Sequence, residues 1–291
     1  MAISLLLALP FISLGGDGPL AELRTKAQQG NAQAQFDLGM AYYQGDGVRK
    51  NYSEAAKWFE KAAGQGMTNA INNVGLMYAN GQGVSRNYRK AVEWFQRAAD
   101  MWDATAEDNL GVAYDFGHGV IQDYHEAARW YEKAALQGDR EAQNSLGSLY
   151  QAGQGVEKDD RKAAEWYRKS ADQGKPDAIV NLAYMYLFGL GVEKDEAKAF
   201  EMNLKLAKQG FVRAMLEAGL QLRDGQGTPQ NYEQAWNFLN IVRRSDWEGP
   251  FYWKAVGALD KIKQDLGVDR NVGRLDYPAW SDIQKHIRPK P

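Results

Sequence analysis

With three histidines, 37 acidic residues and no cysteine, the 291-residue chain has few groups that could do chemistry. Lacking thiols, it has no disulfide framework, no cysteine zinc site, no thiol nucleophile and no lipid-acceptor cysteine. His118, His125 and His286 are scattered, and no His-Xaa-Xaa-Xaa-His spacing puts two metal ligands on one helix face. No Gly-Xaa-Ser-Xaa-Gly elbow presents a serine nucleophile, and no Gly-Xaa-Xaa-Xaa-Xaa-Gly-Lys loop cradles a phosphate. The adjacent carboxylates Asp159 and Asp160 lie at a turn, where capping a helix is the expected role. These residues predict a non-enzyme with no cofactor and no metal site. What remains is recognition chemistry: amides and acids that can pair with a peptide backbone, and aromatics that can anchor in a partner.

The elements that position such residues follow from an internal repeat. Gly-Xaa-Gly pairs recur every 36 residues, at Gly45/Gly47, Gly81/Gly83, Gly117/Gly119, Gly153/Gly155, Gly189/Gly191 and Gly225/Gly227. Six copies run from Gly30 to Ser245, at residues 30–65, 66–101, 102–137, 138–173, 174–209 and 210–245. A period of this size marks a solenoid. Within one copy Ala70, Val74 and Tyr78 fall on one stripe of a first helix over Thr68 to Ala79, and Ala91, Trp94, Phe95 and Ala98 give a second. Gly39, Gly75, Gly111, Gly147 and Gly219 sit inside first helices, with Ala183 in copy five, so a close approach of the paired helix is expected there. Glycines such as Gly66 and Gly138 follow the second helices as left-handed caps. The glycine pairs follow helices rather than strands, which makes them turns and not phosphate cradles. His118 lies inside one such turn, where other copies carry Asp46, Gln82, Gln154, Leu190 and Gln226, so an exposed and replaceable histidine is expected.

The ALG-like first helix, Tyr78, the Gly81-Gln82-Gly83-Val84 turn and the Ala91–Ala99 helix resemble the Sel-one-like repeat family, relatives of the tetratricopeptide repeat. The resemblance implies an all-α fold: a right-handed α/α superhelical solenoid of six 36-residue helical hairpins with terminal capping helices, its first helices lining a concave groove. In that geometry the non-framework positions of the first helices face a protein or peptide partner. Those at the middle of the groove are Asn72, Asp108, Asp115, Phe116, Asn144, Tyr184, Leu187 and Phe188. Some secreted members bridge their helices with paired cysteines, and this chain departs from that subgroup.

The ends fit a solenoid that must be sealed. Residues 20–29 read as a capping half-repeat, and residues 246–291 as a capping helix, with Pro250 at its first turn and a stop at Gly267, followed by a tail. Residues 1–19 open on the apolar run Met1–Leu14, which is too short to span a membrane and reads as an export signal or as a segment packed on the first repeat. A formal charge of −2 and a pI near 6.0 give no attraction for nucleic acid. The chain is therefore expected to be a monomeric scaffold, periplasmic or secreted, that binds protein, with cytoplasmic residence as the alternative. The resemblance implies three such roles: an immunity protein neutralising a secreted toxic effector, which is the concrete expectation, an envelope-assembly adaptor, or a host-interaction adaptor. A hydrolase with a groove site is the competing class.

Overall fold

The computed structural model describes residues 17–245, 249–268 and 279–285, which form fifteen helices and no strand. The structure divides into two compact units, one ending at Lys158 and the other starting at Asp159. The first unit holds α1 (Asp17–Gln28), α2 (Ala32–Gln44), α3 (Tyr52–Gly64), α4 (Thr68–Asn80), α5 (Tyr88–Ala99), α6 (Ala104–Phe116), α7 (Tyr124–Leu136) and α8 (Arg140–Ala152). The second holds α9 (Asp160–Asp172), α10 (Pro176–Phe188), α11 (Glu196–Lys208), α12 (Val212–Asp224), α13 (Tyr232–Ser245), α14 (Pro250–Asp265) and α15 (Trp280–Gln284). Of the expected export signal or packed segment at residues 1–19, residues 1–16 lie outside the described residues and residues 17–19 open α1.

Each copy forms the expected hairpin because both helix ends carry their own signals. Asn51, Asn87 and Asp123 cap the second helices by accepting from main-chain N–H groups one turn in, and Asn31, Asp103 and Asp139 do the same for first helices. First helices end on left-handed glycines such as Gly81 (φ 68°), whose N–H reaches back to Met77. From copy two to copy six the second glycine of the pair answers a different need. A Cβ on Gly83 would lie 2.2 Å from the Tyr52 carbonyl oxygen, so the turn of one copy rests directly on the start of the preceding copy's second helix.

Packing within a hairpin explains the mid-helix glycines. A Cβ on Gly75 would sit 2.5 Å from the Phe95 ring, and one on Gly111 would sit 2.4 Å from Tyr131, so the missing side chain admits an aromatic ring. Where copy five carries Ala183 instead, the residue in the ring's place is the smaller Asn203. In the first unit Phe36, Phe59, Phe95, Leu76 and Leu110 join one core, and α1 adds Leu20 and Ala27 against Ala34 and Leu38. In the second unit Leu216, Trp236, Leu239, Leu259 and Ile262 form the core, and α14 seals it by packing on α12 and α13. Ile283 of α15 is buried there, and Trp280 meets Trp236 with ring centroids 6.1 Å apart.

Candidate protein interface on the first helices

The residues expected in the groove divide by burial. In the first unit Asn72 and Asp108 are buried between neighbouring helices. Asn109 Nδ2 donates to Asn72 Oδ1 at 3.0 Å, and Asn73 Nδ2 points at Met40 Sδ at 3.9 Å, so these amides link successive first helices. Asn144 is half-buried on α8, where its carbonyl accepts from Ser148 Oγ. In the second unit Leu187 is buried on α10.

Asp115 and the aromatics differ. Asp115 Oδ2 accepts from Tyr131 Oη at 3.2 Å, and its main-chain carbonyl accepts from Gln122 Nε2. Burial pushes the Asp115 carboxyl above the usual range, and the Tyr131 hydroxyl offsets part of that rise. Burial, then the charges of Asp108 and Asp115, raises the Tyr131 phenol in turn. Beside it Phe116 is 43% exposed at the end of α6, and on α10 of the other unit Tyr184 and Phe188 are 44% and 51% exposed. Tyr184 and Phe188 face each other as a tilted pair with centroids 4.6 Å apart, one helical turn from residue to residue.

His118 departs from expectation. It is half-buried, stacked on Tyr88 at 4.6 Å and on Phe116 at 5.8 Å, and its Nδ1 is buried without a hydrogen-bond partner. The turn folds back over the previous copy's second helix, so its central side chain is covered rather than free. Sequence could not reveal this, because the covering Tyr88 lies 30 residues earlier.

Reactive groupings are sparse. Among the described residues no set of three histidine or acidic side chains could hold a metal ion. Tyr186 is a perturbed phenol of the second unit: Lys198 Nζ donates to its oxygen at 2.8 Å, which lowers its pKa, and Arg168 adds a weaker contact at 3.4 Å. Lys198 also lies 4.1 Å from the ring centroid, so this tyrosine is held in place by cations; in copy two Tyr78 instead donates its hydroxyl to Glu60 at 3.5 Å, with Lys90 Nζ 5.2 Å from its ring centroid. No helix of the described residues is long and apolar enough to cross a membrane.

Comparison with known proteins agrees with this architecture. The Sel1 repeat profile matches residues 32–67, 68–101, 104–139, 140–175, 176–211 and 212–241. A solved structure of c5321, a protective antigen of uropathogenic Escherichia coli with an SLR fold, is 35% identical with a TM-score of 0.71; the match covers 84% of this chain and 56% of that one. A Sel1 repeat protein from Oxalobacter formigenes is 33% identical with a TM-score of 0.72, covering 78% of this chain and 93% of that one. The secretory immunoglobulin A-binding protein EsiB of Escherichia coli O6:H1 is 40% identical over 57 residues, which is 20% of this chain and 12% of EsiB. Six in-register profile matches on six helical hairpins place this chain in the Sel1 repeat family.

Proposed function

We propose that this chain is a non-enzymatic scaffold that binds a protein partner through first-helix residues its repeat framework leaves exposed. The observation that carries the reading is the exposure of Phe116, Tyr184 and Phe188 at non-framework positions, since a soluble repeat gains nothing internally from rings in water. In the first unit Asp115, next to Phe116 on α6, and Asn144 on α8 are polar residues of the same first-helix series. Asn72 and Asp108 are buried among the first helices of the first unit, and Leu187 is buried on α10 of the second. The concrete role expected from sequence, a periplasmic immunity protein that blocks a secreted effector, fits this reading. A host-interaction role fits it as well, and the stretch shared with an immunoglobulin-binding protein favours that second role.

The test is biolayer interferometry of the immobilised chain against two kinds of analyte: secretory immunoglobulin A, and the purified products of the genes that flank this chain's gene. Saturable binding of one analyte, lost in a Phe116→Ala/Phe188→Ala variant that still folds, supports the scaffold and selects its role. Binding unaffected by those substitutions removes the first-helix surface from consideration.

A further inference from the structure

Among the described residues, α1 and the second helices α3, α5, α7, α9 and α11 close through a residue in the left-handed conformation. Gly30, Gly66, Gly138, Gly174 and Gly210 fill that place with φ between 78° and 96°, and in the remaining copy Trp102 fills it with φ 63°. Trp102 is the one non-glycine residue with positive φ among the described residues. A bulky side chain is strained there, and strain persists only where something offsets it. Main-chain bonds close the turn, Trp102 N–H donating to the Ala99 carbonyl at 2.9 Å, but no side-chain contact among the described residues offsets the strain: the indole is 79% exposed, Met101 beside it is 46% exposed, and Trp102 makes no ring contact or side-chain hydrogen bond there. The copies before and after carry Gln65-Gly66 and Gln137-Gly138, so Met101-Trp102 is a local replacement of a turn by an apolar knob. Asp100 and Asp103 flank it with negative charge.

The same unit holds a feature of opposite character. Between α1 and the α2–α3 turn is an open cleft of about 790 Å³ walled by Leu20, Tyr42 and Tyr52 and rimmed by Arg24, Arg49 and Lys50. Its carboxylate, Glu54, is taken by Lys57 at 2.7 Å, and Lys50 lies 4.9 Å from the Tyr52 ring centroid. Arg24 and Arg49 are exposed and have no carboxylate partner among the described residues. The cleft lies at the edge where the glycine-pair turns run and Trp102 at the opposite edge, a helix length of roughly 20 Å away.

We propose that Trp102 of one copy inserts into the Arg24/Arg49 cleft of a second copy. An acid-flanked indole meets an aromatic-walled, basic-rimmed cavity, so shape and charge both match. Each copy offers its knob to one neighbour and its cleft to another, which makes the contact heterologous and lets it propagate into short chains of molecules. The proposal goes beyond the scaffold reading and does not rest on it, because neither feature belongs to the first-helix surface.

Sedimentation velocity of the full chain, from micromolar to submillimolar concentration, tests it with no foreign ligand. The wild type should show a sedimentation coefficient that rises with concentration and falls back in high salt. Trp102→Gly, which restores the glycine of the other copies, should melt higher than wild type and stay monomeric. Arg24→Glu/Arg49→Glu should also stay monomeric. Mixed in equal amounts, the two variants should pair through the one intact knob and the one intact cleft and stop at a dimer. A wild type that stays monomeric throughout, a Trp102→Gly variant that still associates, or variants that fail to pair when mixed would each overturn the proposal. A wild type that is monomeric yet shifts with added membrane vesicles or a foreign protein, in a Trp102-dependent way, would overturn it in favour of another occupant.

Discussion

Glu107 shows how a single side chain departs from its own repeat. One repeat later Gln143 donates Nε2 to the Ala135 carbonyl at 3.1 Å, and two repeats earlier Gln35 donates to the Ala27 carbonyl at 3.1 Å. Glu107 stands at the same position, buried, accepting from Gln137 Nε2 at 2.6 Å, but its carboxylate has no proton to donate. Burial raises its pKa above 4.5. A raised folded-state value means this group's stabilisation is complete below the unfolded value and is lost as pH rises through the folded one. Glu107→Gln is therefore expected to raise stability by about 1 kcal/mol near neutral pH, read as an increase in Tm, because the amide restores a donor. The gain should vanish in acid below the unfolded carboxyl pKa; an equal gain at both pH values would show that ionisation is not the cause. His118→Gln, by contrast, should cost about 1 kcal/mol, since it removes a ring stacked on Tyr88. Chemical denaturation of that variant checks it, and wild-type stability would mean the stack contributes nothing.

At the scale of the element, the glycines separate two kinds of intolerance. Gly83→Ala combines φ of 73° with a Cβ 2.2 Å from a main-chain carbonyl that cannot swing aside. Gly111→Ala keeps ordinary helical backbone but pushes into the Tyr131 ring at 2.4 Å, for which overpacking of about 1–3 kcal/mol is expected. Both variants should melt lower than wild type. Gly66→Ala makes a fair comparison, because it shares a positive φ of 83° but meets nothing within 4 Å. Its loss should be limited to the conformational term, about 1 kcal/mol. If calorimetry ranks Gly66→Ala as the most damaging of the three, close packing of one copy on the next is not what these glycines serve.

Across the molecule, binding is expected to follow exposure rather than membership of the first-helix series. Phe116→Ala and Phe188→Ala should each weaken partner binding about thirtyfold, the usual effect of truncating an aromatic anchor worth about 2 kcal/mol. Glu132→Ala, on the outward side of α7, should leave affinity within about twofold, as solitary exposed charges do. Lys133 is a poorer control, since its ammonium lies 3.9 Å from the Trp130 ring centroid. Isothermal titration with the identified partner would rank these variants, and equal affinity for all of them would place the interface elsewhere.

Helix number, helix ends and the left-handed turns were legible in the 36-residue period, because each rests on local signals: a capping Asn or Asp, an alanine stripe, a glycine where φ must be positive. The family followed from the same signals repeated six times in register. Which side of a first helix is free was not legible. Leu187 and Phe188 are adjacent in sequence, yet one is buried and the other exposed, since successive helical residues point about 100° apart and only the neighbouring helix determines which is covered. Asn72 and Asp108 look like ligands for a peptide in sequence and are buried between helices in the structure, where Asn109 reaches Asn72. The replacement of Gln-Gly by Met101-Trp102 was visible in the repeat, but its meaning required φ and exposure together: the backbone there keeps the glycine conformation and leaves the indole in solvent. Local chemistry thus determined the elements, and the packing of one hairpin on the next decided which of their side chains remain available to anything outside the chain.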